Sequence, residues 1–259
     1  MARIDEGSPS RLSEQLGRDV DEGVLRGSVA VLPAGSLEYH GPHAPLGTDL
    51  FIARELAERI GARRPALVVL PELAYASCRV ETRRRTGTIA IEPGIAIALL
   101  EQLFRSLFTA GFAGVVVLNA HVENAVTASL AADAVTDRFP EAFVAVINWW
   151  ETLPAEETRA LAGFSENGGH GHGGPLELSV TQAIVPGLVR PDLAVDVEES
   201  RGPATRGLQL VATPHARIPL LGYHGRPSEI DRDRGSRLLE LATDRIVETV
   251  DALLAYVKG

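Results

Sequence analysis

Short runs of β-branched and aliphatic residues alternate along the chain with longer stretches in which apolar positions recur every three or four residues. The first pattern predicts buried strands and the second amphipathic helices; their alternation predicts an α/β fold with a largely parallel sheet. "SVAVLPAG" (28–35) reads as a strand that breaks at Pro33, Ala34 and Gly35. "TDLFIARELAERIGARR" (48–64) reads as the next helix, with Thr48 as its N-cap and Phe51, Ile52, Leu56 and Ile60 along one face. "ALVVLPEL" (66–73) and "GTIAI" (87–91) are further predicted strands, and "EPGIAIALLEQLFRSLFTAGF" (92–112) a helix that Gly111 can end. "GVVVLNAH" (114–121) is apolar almost throughout, as expected of a strand covered on both faces.

"VENAVTASLAADAVTDRF" (122–139) then predicts a helix and "AFVAVINWW" (142–150) a strand. Residues 151–175 are irregular and Gly-rich, long enough to suggest a functional loop. "LELSVTQAIVP" (176–186) restarts a helix, residues 186–230 carry Pro and Gly with little periodicity, and "DRDRGSRLLELATDRIVETVDALLAYV" (231–257) predicts a long amphipathic closing helix. No repeat or low-complexity linker interrupts the 259 residues, so a single domain spanning 1–259 is expected.

Composition narrows the function classes. The apolar fraction of 45% supports a large core, while a net charge of −9 argues against a nucleic-acid surface. The basic stretch "ETRRRTG" (81–87) reads as a solvated edge, an oligomer contact or an anion-attracting patch. A single cysteine, Cys78, excludes an intrachain disulfide. The N-terminus lacks a signal-like apolar core and no run is long enough to span a membrane, so a cytoplasmic protein is expected.

The chemistry gathers at two predicted strand ends. After "VAVLPAGS" come Glu38 and His40; after "VVVLN" come His121 and Glu123. In extended chain, residues two apart project to one side, so each end can aim a carboxylate and an imidazole at a common point outside the carboxyl edge of the sheet. Asp49, at the start of a helix, adds a further carboxylate. Five such donors exceed the needs of one tetrahedral ion with an open position and fit two ions sharing a carboxylate. A nitrogen and oxygen set without thiolate suits Zn²⁺ or Mn²⁺. His43, three residues past His40, is a further candidate ligand, though Pro42 and Pro45 favour a fixed turn that positions its neighbours. In "GGHGHGGPLELS" (168–179), His172 precedes a helix and Glu177 lies one turn inside it. His172 can move a proton at the scissile bond; Glu177 can reach a metal or orient the attacking water.

These segments resemble the creatininase (creatinine amidohydrolase) family. "LPAGSLEYHGPHAPLGTD" is similar to its signature, "VVVLNAHVEN" to its second motif, "HGGPLELS" to its catalytic-histidine segment and "GYHGRPSEIDRDRG" to its closing element. The resemblance implies a three-layer α/β/α fold with a mostly parallel sheet, a two-ion site of zinc, manganese or both, and a homo-oligomer such as a hexamer. By resemblance, Glu38, Asp49 and His121 hold one ion, and His40, Asp49 and Glu123 the other. His172 takes the catalytic position, and Trp150 lines the substrate entrance. Ser77 and the arginines of residues 77–85 would shape the pocket for a small-molecule substrate. Creatininases carry an aromatic residue where this chain has Val122, and a tryptophan and an aspartate where it has Gly168 and Gly169. A flat creatinine ring would therefore lose its stacking partners. The expected activity is hydrolysis of a C–N bond, other than a peptide bond, in a small amide, lactam or cyclic ureide different from creatinine; the alternatives are a family deformylase, a small-peptide hydrolase and a metal-binding homologue without turnover.

Overall fold

The computed structural model describes residues 9–21, 25–197 and 221–258. Five strands, β1 (Ser10–Arg11), β2 (Val29–Ala34), β3 (Leu67–Val69), β4 (Gly114–Asn119) and β5 (Phe143–Asn148), form one sheet in the order β1-β3-β2-β4-β5. Every pairing is parallel. The helices are α1 (Gly17–Asp21), α2 (Thr48–Arg63), α3 (Val80–Arg83), α4 (Pro93–Thr109), α5 (Val122–Thr136), α6 (Ala155–Ala162), α7 (Pro175–Ile184) and α8 (Arg232–Lys258).

Strand alternation divides the core in two. Val29, Val31, Leu67, Val69, Val116 and Leu118 face α2, α7 and α8, meeting Ile52, Leu56, Ile60, Leu176, Val180 and Ile246. Ala30, Leu32, Val68, Val115 and Val117 face α4 and α5, meeting Leu100, Phe104, Leu107, Ala128 and Val135. The result is the expected three-layer α/β/α arrangement. The central strands β2 and β4 are buried along their whole length, which explains their uninterrupted apolar runs.

The register positions the chemistry. Ala34 pairs with Asn119, and Asn119 with Asn148, so β2, β4 and β5 release the chain at the same level of the sheet. Asn119 then locks the exit: its Nδ2 donates to Asn148 Oδ1 at 2.9 Å, and its Oδ1 accepts the His121 amide at 2.9 Å. Gly35 is required just past β2, because a Cβ there would stand 2.8 Å from the Asp49 carbonyl carbon and the Leu50 nitrogen. The strand end and the start of α2 thus meet backbone to backbone.

Several local expectations are corrected. Residues 87–91 add no strand to the sheet: Ala90 makes only an isolated bridge with Ala76, and Ile89 donates to the Leu37 carbonyl, so the segment braces the loop after β2. Residues 66–73 are regular only over β3, with a separate bridge from Leu73 to Ala34. Thr48 is the first helical residue and Gly47 the N-cap; the Thr48 hydroxyl instead donates to the Pro45 carbonyl at 2.7 Å. The irregular stretch 151–175 contains α6, and the short edge strand β1 had no counterpart in the hydropathy pattern. Within 186–230, residues 198–220 lie outside the described residues. Among the described residues, no helix is long and apolar enough to cross a membrane.

Candidate metal centre

Beyond the exits of β2 and β4, the first helical turn of α2 and the first turn of α7 bring acidic and imidazole side chains into one buried group. Glu38, His40, Asp49 and His121 are each at most 4% exposed. His121 Nδ1 lies 3.0 Å from Glu38 Oε2 and 3.2 Å from Asp49 Oδ2. His40 Nε2 lies 3.0 Å from Asp49 Oδ1 and 3.7 Å from Glu177 Oε2. Asp49 therefore presents one oxygen to each imidazole, the arrangement of a bridging carboxylate.

Backbone contacts set which ring nitrogen faces inward. A carbonyl oxygen can only accept, so the His40 Nδ1–H donates to the Glu38 carbonyl at 2.9 Å, leaving Nε2 for Asp49 and Glu177. Likewise the His121 Nε2–H donates to the Ser77 carbonyl at 2.7 Å, leaving Nδ1 for Glu38 and Asp49. Metal-bound histidines are commonly oriented this way, with the outer N–H tied to a carbonyl and the inner lone pair free. The carboxylates are tied as well. Ser36 Oγ donates to Asp49 Oδ2 at 2.7 Å, and Thr82 Oγ1 donates to Glu38 Oε1. The Gly173 amide donates to Glu177 Oε2 at 2.7 Å.

The electrostatics describe acids short of cations. Burial alone would raise Glu38, but the hydrogen bond and charge of His121 hold its carboxyl down at about 2. Asp49 is likewise held well below the carboxylate range, against its burial, by His40 and His121. His40, despite burial, rises to about 10 beside Asp49 and Glu177; His121 also rises, through its bonds to Asp49, Cys78 and Glu38. Glu177 is pushed up to about 7, chiefly by burial. Each inward nitrogen thus holds a proton where a divalent ion would compete for the same lone pair. The donor chemistry fits hard or borderline cations: carboxylate and imidazole group around His40, Asp49 and Glu177, and again around Glu38, His40 and His172.

The remaining candidates fall around this group. Glu123 is not brought to His40 and Asp49. Its Oε2 lies 3.1 Å from His121 Nε2, on the outer side of that ring, and its Oε1 accepts from Arg79 Nε. Glu177 takes the place beside His40 and Asp49. His172 stacks on His40 with ring centroids 4.2 Å apart, and its Nε2–H donates to the Tyr39 carbonyl at 2.8 Å. Its Nδ1 faces Glu38 Oε2 at 4.0 Å, and burial together with the charge of His40 lowers it to about 4. Gly173, at φ +65°, permits this approach, because a Cβ would sit 2.7 Å from the His40 carbonyl oxygen. His43 stays outside the group, buried edge-on against Tyr223 at 4.7 Å. Ser77 contributes its carbonyl, which accepts from His121. Val122, half exposed, opens α5, and Trp150 packs half-buried against the core beneath α2, α7 and α8. Arg79 was expected only as one of the pocket-shaping arginines, and Ser36, Thr82 and Cys78 were not singled out as site residues from sequence. Only Ser36, inside the "GSLEYHGPH" motif, carried a signal.

A model of the creatininase family, described as creatinine amidohydrolase, matches residues 14–250. The chain belongs to the creatininase family. It is similar to a creatinine amidohydrolase of Pseudomonas putida, 24% identical over 238 residues, covering 86% of this chain and 88% of the relative. It is also similar to a 3-dehydro-scyllo-inosose hydrolase of Thermotoga maritima, 24% identical over 250 residues and covering 93% and 79%. A mycofactocin precursor peptide peptidase of Mycobacterium tuberculosis is 38% identical over 85 residues, covering 29% of this chain and 34% of the relative. Among solved structures, a manganese form of creatininase superposes with a TM-score of 0.80 at 22% identity, over 93% of this chain and 97% of that one. A zinc–zinc form of a creatininase variant gives 0.81 at 22%, over 93% and 96%. At that identity the likeness establishes the fold, which creatininases share with this chain.

Proposed function

We propose that this creatininase-family protein is a hydrolase that depends on two divalent ions, zinc and/or manganese, and cleaves a C–N bond in a small amide, lactam or cyclic ureide. The observation that carries the reading is Asp49, buried with one oxygen against His40 and the other against His121. Glu38, Asp49 and His121 Nδ1 would hold one ion; His40 Nε2, Asp49 and Glu177 would hold the other. Glu123 and the Ser77 carbonyl would fix His121 from behind. When bound, such ions lower the pKa of water and polarise the substrate carbonyl, the largest share of the expected rate.

The chain's own residues supply positioning and proton movement. His172 keeps its Nε2 proton on the Tyr39 carbonyl, so its bare Nδ1 is the acceptor that faces the group. In the proposed reaction water attacks the carbonyl carbon and Nδ1 takes the proton released. The same nitrogen then returns that proton to the leaving nitrogen as the C–N bond breaks, a contribution of about 10²–10⁴-fold. The lowered proton affinity of His172 suits a group that must be bare before the attack. Glu177 holds its oxygen on the Gly173 amide and keeps the His172 loop against the group. The arginines at 79–85 offer an anionic substrate a positive approach.

Creatinine is not the proposed substrate. At Gly168, φ is +61° and a Cβ would stand 2.2 Å from the Ala155 carbonyl oxygen; at Gly169 it would stand 2.6 Å from the Phe164 ring. This backbone has no room for side chains at either position, so nothing there can flank a flat ring. A second reading, hydrolysis of a small peptide, is favoured by the 38% identity to the mycofactocin peptidase across 85 residues. A homo-oligomer is proposed on family membership alone. The test is product formation from a panel of lactams, cyclic ureides, formamides and dipeptides, with and without added Zn²⁺ or Mn²⁺. Turnover that needs the ions supports the reading, and its bond class decides between the two substrates. Ion-independent turnover, or none across the panel with ions bound, counts against it.

A further inference from the structure

The only cysteine of the chain lies in the same buried group, and neither the family signature nor the proposed reaction uses it. Cys78 is 6% exposed and sits next to Ser77, whose carbonyl holds the His121 imidazole. One ligand atom from each of Glu38, Cys78 and His121 lies within 4.8 Å of the other two, a cluster that could hold an ion. Sulfur is the donor that most changes a site's choice of metal.

We propose that Cys78 is a sulfur ligand of the ion held by Glu38 and His121, giving that position a preference for zinc over manganese. The inference rests on the two-ion reading above. On coordination the thiol proton leaves for solvent and the sulfur binds as thiolate, so the first ion gains a soft donor while the ion beside His40, Asp49 and Glu177 keeps only nitrogen and oxygen. The two positions then differ in kind: Mn²⁺ suits the all-oxygen-and-nitrogen side, and a borderline-soft ion such as Zn²⁺ or Co²⁺ suits the side with sulfur.

Because Cys78 is the only thiol, cobalt reports on it without ambiguity. The full chain, stripped of metal, is titrated with Co²⁺ while bound cobalt is counted and the near-ultraviolet spectrum followed. The expected result is a sulfur-to-cobalt charge-transfer band that saturates at one ion per chain and is absent from Cys78→Ser. In competition experiments the same variant should lose zinc affinity by roughly tenfold or more, the scale on which partners of a metal site act, with manganese affinity unchanged. Should Cys78→Ser fail to fold, the wild-type spectrum with Glu38→Gln as control carries the test: the band must weaken when Glu38 is changed. Stoichiometric cobalt without the band overturns the role of Cys78 alone and leaves the two-ion reading standing. A chain that binds no cobalt overturns both.

Discussion

Two of the places where acidic and basic groups meet in this molecule could hardly be more different. Between α2 and α8, Arg59, Arg63 and Arg64 pair with Glu240, Asp244 and Asp251, side chains between 30% and 59% exposed. Beyond the carboxyl ends of β2 and β4, Glu38 and Asp49 pair with His40 and His121 at 1–4% exposure. The outer ladder is hydrated in both folded and unfolded chains, so its pairs are worth little and could be exchanged for other polar residues. The inner group has lost its water, and desolvation of that kind is recovered only in part by protonated imidazoles. A protein retains such a group when something other than stability requires it. Divalent ions would compensate the carboxylates more fully than two protons can.

The sharpest way to break that comparison is to remove the shared carboxylate. Asp49→Ala is expected to abolish both bound ions, read by elemental analysis of the purified chain, whereas Glu38→Gln and Glu177→Gln should each cost one. If Asp49→Ala keeps a full complement, the carboxylate does not bridge. His172→Ala should leave the ions in place and lower kcat on the substrate found in the panel by about 10²–10⁴-fold; a change confined to KM would move His172 from proton transfer to binding.

Gly173→Ala should destabilise the fold by about 1–3 kcal/mol in denaturant titrations, because it combines a positive φ with a collision at the His40 carbonyl. The pH dependence sharpens the contrast further. His40 binds its proton more tightly in the folded chain, so its contribution is complete below about 6.5 and is lost as pH rises towards about 10. The ion-free protein should therefore melt at progressively lower temperature across that window. Zinc should flatten the curve by replacing the proton, and an equally steep decline with zinc bound would contradict the shared site. Smallest of all, Arg63→Ala on the outer ladder should cost less than about 1 kcal/mol, and less still at high salt.

Much of this was legible in the chain because different physics wrote different parts of it. The buried strands β2 and β4 announce themselves as apolar runs, and the Glu38/His40 and His121/Glu123 spacings mark their ends. What the pattern could not convey was direction around a ring. Glu123 has the right chemistry and spacing for the inner face, yet Asn119 and Ser77 orient His121 so that Glu123 stands behind it and meets Arg79. Glu177 comes from a segment far along the chain from His40 and Asp49, and the packing of α7 against α2 and the Gly173 turn bring it in. The "GTIAI" run has β composition but pairs too briefly to become a strand: Ile89 donates to Leu37 in the loop carrying Glu38, and Ile91 to Ala76. Cys78 and Thr82 carry no motif at all; their relevance is purely a matter of where the chain passes.

One count tests the account most directly: divalent ions per chain in the full-length protein after metal-replete purification and exhaustive removal of loosely bound metal. The account requires two for the wild type and none for Asp49→Ala. A wild type that emerges folded with no tightly held ion would contradict it, leaving the buried carboxylates and imidazoles as a network closed by protons alone.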